Sequence, residues 1–292
     1  MTRRLLDRQI RLIHYLTMSG AIFGDAEHRP DPMLRGINRH LLGMEARFSF
    51  EKRIEKIAAV LPRTFDLLGP RRMALTREFV EAYPPDHIGR YENARQFCNF
   101  LTKRNRRESP GRPRGSTAPR RAHPSRLARV PSRLARLAPQ ENARSHLRMT
   151  RADPTSLPPY LPDIATCELA VATARLHAEE VPPGEQHSST DPRTPLRSIR
   201  RAPGAVLLRA SYDIRPLFES ASKPIDPVPR DVRLAIVAMP AGHPEIFELA
   251  PAVFDLLALL DDWTDASTFG EWSDAGELTA ELLEARLLEV RR

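Results

Sequence analysis

The chain has 292 residues, among them 28 Pro and 13 Gly, and is 41% apolar and 28% charged. One or two domains fit that length, and so much Pro excludes a single uninterrupted core, because helix interiors and central strands reject it. The formal charge is +8, carried by 41 Arg and only four Lys, a bias we assign to genome composition rather than to a site. Cys98 and Cys167 are the only cysteines. Two thiols exclude a disulfide framework, a Cys-rich zinc module and an iron–sulfur cluster held by this chain alone, and a reducing, cytoplasmic setting is the expectation.

The opening MTRRLLDRQIRLIHYLTM has the basic start of an export signal, but Asp7, Arg8, Arg11 and His14 break the apolar run that export requires. It reads instead as an amphipathic helix, with Leu5, Leu12 and Leu16 beside Leu6, Ile10 and Ile13. The most apolar later stretch, 249–260, is too short to span a bilayer and contains Asp255. Neither a transmembrane segment nor a membrane partner is expected.

Residues 46–102 predict a helical bundle. Phe50, Ile54, Ile57, Ala58 and Leu61 recur at helical spacing, and Pro62 opens a short second element through Phe65 and Leu68. Gly69-Pro70 stops it, Met73 to Tyr83 forms a third helix that Pro84-Pro85 ends, and Asn93 to Leu101 forms a fourth. Phe50, Phe65, Phe79 and Phe97 are expected to fill the core, with Cys98 and Cys167 as small buried apolar groups.

From Lys103 to Arg151 the sequence carries fourteen Arg and one Lys against Glu108 and Glu141, a local charge of +13, so the rest of the chain is acidic at −5. No Phe, Tyr, Trp or Ile occurs from Lys103 to Pro159, and Pro recurs throughout. Such a segment cannot bury enough apolar surface to offset its ordering entropy, and disorder is the expectation. PSRLARV and PSRLARL, at 124–130 and 131–137, form a seven-residue repeat, but Pro in each copy argues against a coiled coil. GRPR at 111–114 resembles the core of a minor-groove AT-hook, with Pro110 where Arg is usual. Arg112, Arg114, Arg120 and Arg121 are therefore candidate nucleic-acid contacts, and a solvated insertion is the alternative.

After a Pro-punctuated linker at 181–197, residues 202–218 predict one or two strands. Residues 232–250 predict a hairpin in which Leu234, Ile236 and Ala238 alternate with Ala235, Val237 and Met239. A helix follows with Pro251 in its first turn, carrying Val253, Phe254, Leu257 and Leu260. Thr264 to Trp272 predicts a short element, and Asp274 caps a last helix with the stripe Leu278, Leu282, Leu283 and Leu287. Hairpin, helix, short helix, helix is the order of a winged helix, most often a DNA reader. Here residues 230–292 hold five Arg against thirteen acids, and that sign repels phosphate. A peptide can instead add a strand to a sheet edge. Ile246, Phe247, Leu249, Leu282 and Leu283 are the candidate peptide contacts, and a core role stays open for each.

The succession of a helix, LPRTFDLLG, REFVEAYPP, a Gly-containing turn and ARQFCNFL resembles the N-terminal domain, catalogued as DNA-binding, of partner proteins of multinuclear non-heme iron oxidases. PPYLPDIATCELAVATARLHAEE at 158–180 is similar to the helix that completes that domain, and the basic stretch 103–157 stands where the family pattern has a short connection. The C-terminal part resembles the small module that captures leader peptides in ribosomal-peptide modification systems. The resemblance implies a non-catalytic subunit that forms a heterodimer with an iron-dependent oxidase and presents to it the cysteines of a Cys-containing precursor peptide. By that resemblance the iron belongs to the oxidase.

Nothing in the sequence predicts chemistry by this chain. The nine His show no HExxH or other ligand spacing, and there is no GxSxG, P-loop or Gly-rich dinucleotide turn, so no metal, cofactor or catalytic residue is expected. The predicted class is α+β: a helical bundle in 1–102, a disordered basic insertion in 103–157, a completing helix in 158–180, a linker in 181–197 and a winged-helix-like domain with a small antiparallel sheet in 198–292. A DNA-binding regulator using the basic segment and the winged helix is the alternative function.

Overall fold

The computed structural model describes residues 3–24, 31–85, 89–108, 157–180, 197–219, 226–239, 244–266 and 275–291. Arg112, Arg114, Arg120 and Arg121, the linker up to residue 196, and most of the basic segment lie outside the described residues. The chain divides into two compact units, the first made of Met1–Glu108 with Leu157–Ala172 and the second running from Thr173 to the C-terminus. It is an α+β protein, with helices first and antiparallel sheets after them.

In the first unit α1 (Arg3–Thr17) and α2 (Ser19–Phe23) precede the long α3 (Arg39–Val60). Asn38 starts α3 as its N-cap, its side-chain oxygen accepting from the amides of His40 at 2.9 Å and Leu41 at 3.4 Å. α4 (Pro62–Leu68) begins with Pro at its first turn, and Gly69 at φ +50 leads through one 3-10 turn into α5 (Arg72–Ala82). α6 (Arg90–Glu108) and the first half of α7 (Leu161–Glu180) close the bundle. Its centre is aromatic. Phe79 is fully buried, with ring centroids 5.0 Å from Phe97 and 5.7 Å from both Phe100 and Tyr83, and Phe65 lies 5.3 Å from Phe97. These edge-on, tilted and stacked contacts stabilise beyond the apolar area they bury.

Helix α6 runs on through Lys103–Glu108, which composition had placed in the basic segment. Three contacts account for the extension. Lys103 Nζ donates to the Tyr83 hydroxyl at 2.8 Å and lies over its ring, Arg104 pairs with Glu78, and Asn105 Nδ2 donates to the Pro159 carbonyl at 3.3 Å.

Two buried polar groups tie the bundle together. Pro62 leaves α4 with no side-chain cap of its own, and the Glu168 carboxylate on α7 supplies one. It accepts from the amides of Arg63 at 2.7 Å and Thr64 at 3.0 Å and from the Thr64 hydroxyl at 2.7 Å. Burial raises the Glu168 pKa, and these hydrogen bonds oppose the rise. Arg53 on α3 donates to Asn93 Oδ1 at 2.7 Å, the Tyr83 carbonyl at 2.9 Å and Gln96 Oε1 at 3.0 Å, with its guanidinium 4.7 Å from the centre of the Phe79 ring.

Among its described residues the second unit holds two three-stranded antiparallel sheets, where one small sheet was predicted. β1 (Ser198–Arg201) lies between β5 (Thr264–Asp265) and β6 (Leu288–Arg291) in one. In the other, β3 (Val228–Ala238) lies between β2 (Val206–Asp213) and β4 (Pro244–Glu248). The register of β2 on β3 shifts between Ala210 and Tyr212, next to Pro229, which has no amide to give the ladder. α8 (Arg215–Glu219) follows β2, and α9 (Pro251–Leu259) and α10 (Ala275–Glu284) supply Val253, Phe254, Leu257 and Leu282 to a core shared with Ile199, Ala235 and Val237.

The last predicted helix ends early. Leu287, expected on its stripe, lies beyond it, because Arg286 takes φ +56 and turns the chain into β6. The Leu287 amide donates to the Leu282 carbonyl at 2.8 Å and the Arg286 amide to that of Leu283 at 3.0 Å, the two bonds of a Schellman cap. Leu282 and Leu287 are both fully buried, the apolar contact that goes with such a cap. β6 then pairs along β1, Ser198 opposite Arg291 and Arg201 opposite Leu288.

Candidate functional site

The β3–β4 hairpin forms where alternation predicted it. Leu234 pairs with Glu248, Ala235 with Phe247, Ile236 with Ile246, and Val237 with Glu245. Since side chains alternate along a strand, Ala235, Val237 and Phe247 share one face of the sheet, and Leu234, Ile236 and Ile246 share the other. The first face joins the core that contains α9 and α10. On the second, Leu208, Ala210, Val232, Leu234 and Ile236 are buried as well.

The five candidate peptide contacts are therefore divided. Phe247, Leu249, Leu282 and Leu283 belong to one apolar cluster, whereas Ile246 lies on the opposite face of the hairpin. Leu249 and Leu282 are buried within the cluster, so they support a surface rather than form one. Phe247, Leu283 and Ile246 are half-buried and reach the exterior.

The outer edge of β4 shows which backbone groups of the predicted hairpin are left over. The Leu249 amide donates to the Arg233 carbonyl at 2.8 Å, which makes Leu249 and Arg233 a hydrogen-bonded pair. Antiparallel ladders alternate, so Phe247 and Glu245 also bond toward β3, and the backbone groups of Ile246 and Glu248 point away from it. Among the described residues no strand lies on that side. This edge offers donors and acceptors at alternate residues, beside the half-buried Ile246 and Phe247.

One end of the edge is fixed by four charges. Glu248 accepts from Arg230 at 2.7 and 3.0 Å and pairs with Arg215 at 2.7 Å, and both Arg residues also engage Asp213, at 2.6 Å from Arg230 and 2.7 Å from Arg215. The ring joins β2, β3, β4 and α8. The hydrogen bond from Arg215 holds the Asp213 pKa down to about 2, with Arg230 adding to the effect against the cost of burial. Alternating apolar residues showed the hairpin, but residues distant in sequence assemble this ring, and no local pattern announces it.

Within the second unit, the helix expected to read DNA is poor in cations. α10 carries Glu277, Glu281 and Glu284 and no Arg or Lys. Arg230 and Arg233 face carboxylates, Arg233 lying 3.8 Å from Asp255. Among the described residues, no three His, Cys, Asp or Glu side chains group closely enough to hold a metal ion. Cys98 and Cys167 are buried, and desolvation first, then the nearby Glu168 charge, pushes each thiol pKa up to about 12. Thiols held that high are poor nucleophiles. No described helix is long and apolar enough to cross a membrane. No family model matches this chain, and no curated protein matches it.

Proposed function

We propose that this protein is a non-catalytic partner subunit that binds a ribosomally made precursor peptide and presents its cysteines to an iron-dependent oxidase in the cytoplasm. The observation that carries the reading is the outer edge of β4, where Ile246 and Glu248 turn their backbone groups outward and no described strand pairs with them. An extended peptide laid there gains main-chain hydrogen bonds, and Ile246 on one face and Phe247 on the other select its side chains. The acidic balance of residues 230–292 turns polyanions away and favours a protein ligand. Holding peptide and oxidase together raises the local concentration of substrate cysteine at the oxidase.

The test looks among the neighbouring genes for an iron-dependent oxidase and a Cys-containing peptide, whose absence ends the reading, and uses both with the full chain. Ile246→Pro removes an outward amide while leaving the β3 ladder, since edge strands tolerate Pro where no ladder bond is lost. Peptide affinity should fall about tenfold or more, one lost hydrogen bond being worth roughly that much. Absence of a complex with the oxidase, or equal peptide affinity for both forms, ends the reading. The +13 charge of residues 103–151 supports the second reading, a DNA-binding regulator. A low-salt shift of duplex DNA that disappears when 109–156 are deleted is its signature, and no shift at low salt removes it.

A further inference from the structure

The large apolar side chains left exposed are unevenly spread. Apart from Met73, Val228 and Leu259, all those among the described residues lie between Leu5 and Phe48. Helix α1 is the clearest case. Only its second half packs on the bundle, through Leu12, Tyr15 and Leu16. Residues 4–11 are all exposed, so two turns of helix lie largely uncovered by the described residues.

Those turns are strongly two-sided. Leu6, Ile10 and Ile13, at 51%, 55% and 63% exposure, recur at helical spacing and form one row, with Leu5 beside it. Arg4, Arg8 and Arg11 form a second row across the helix, and Asp7 is the one acid in α1. Among the described residues Arg4 and Arg8 meet no carboxylate, and Arg11 only a loose one, Asp31 at 3.6 Å.

The charge decides what can cover this helix. A second copy packed row against row would leave both Arg rows on the outside with Asp7 as the one acid of each α1, and nucleic acid has no use for an aliphatic row. A protein groove can take such anchors at i, i+4 and i+7, but it makes no use of the Arg row on the other side, whereas anionic headgroups do. An aliphatic row opposed by an Arg row, on an unshielded helix, matches a bilayer interface whose headgroups are negative. We propose that α1 is an interfacial helix that lays Leu6, Ile10 and Ile13 into the surface of an anionic membrane without crossing it. The lack of a spanning helix bears on insertion through a bilayer, not on contact with its surface.

The test is co-sedimentation of the full chain with phosphatidylcholine vesicles, with and without about one-quarter phosphatidylglycerol. The chain should pellet with the anionic vesicles, and much less with the neutral ones or in high salt. The variant Ile10→Gln with Ile13→Gln leaves charge unchanged and, both sites being exposed, leaves the thermal transition in place. Its affinity for anionic vesicles should fall about tenfold or more. Unchanged binding by the variant overturns the proposal and assigns the binding to the Arg-rich 103–151. No binding by the parent chain overturns it too. So does loss of binding by the variant to a purified protein partner when neither form binds vesicles, which would make α1 a protein-docking helix.

Discussion

The two units handle polar groups in opposite ways. In the first, Glu168 and Arg53 are buried, each with several specific partners and each joining segments remote in sequence. In the second, the ion pairs stay near water, and the ring of Asp213, Arg215, Arg230 and Glu248 encloses the end of an open sheet edge. The difference teaches where polar groups bind a fold together and where they remain available. A buried carboxylate with three donors has nothing left for a ligand, whereas a strand edge with unspent backbone groups has.

Breaking the aromatic centre should have the largest effect. Phe79→Ala should cost the first unit about 3–5 kcal/mol, seen in calorimetry as a large downward shift of one transition while that of the second unit holds. Glu168→Ala comes next. It strands the buried amide and hydroxyl of Thr64 and the part-buried amide of Arg63, and a loss of about 2–4 kcal/mol should appear in urea unfolding of the same unit.

Acid sharpens the contrast, because the two carboxylates respond with opposite sign. Asp213 is held below its ordinary pKa of 3.8, so its contribution is present above that value and is lost as pH falls toward about 2. Glu168 is raised, so its burial costs stability above its folded pKa, and that cost is relieved as pH falls through it. Between pH 4 and 2 the second unit should therefore weaken relative to the first. Asp213→Asn should remove about 1–2 kcal/mol at neutral pH and little near pH 2, the range discounted for a partner that is half-exposed. The smallest effect has the opposite direction. Gly takes the left-handed conformation of residue 286 without strain, so Arg286→Gly should stabilise the second unit by about 0.5–1 kcal/mol in thermal melts.

Much of this architecture was legible where local rules decide it. Apolar spacing with Pro62, Gly69 and Pro251 located the helices from Phe50 to Leu101 and the helix after the hairpin, and period-two alternation located the hairpin itself. The failures fall where a distant segment decides. LLEARLLEV continues a helical stripe on paper, yet β1, far earlier in the chain, recruits its end as β6. Glu168 reads as one more surface acid on a helix until α4 is brought against it. The sequence placed the candidate contacts on a hairpin and a helix that both form, but it could not distinguish Leu249 and Leu282, which are interior, from Ile246 and Phe247, which border the open edge.

The hydrogen bond from Asn105 to Pro159 sets the two ends of the basic segment side by side on the bundle. A chain that leaves and rejoins a fold at one doorway adds little strain however long the detour, since doubling a loop costs only about 0.6 kcal/mol in closure entropy. The bundle is therefore indifferent to what hangs there. A folded reporter domain spliced in place of 109–156 should ride on the protein as a passenger, giving experimenters a handle remote from the β4 edge in sequence and leaving evolution free to rewrite that stretch.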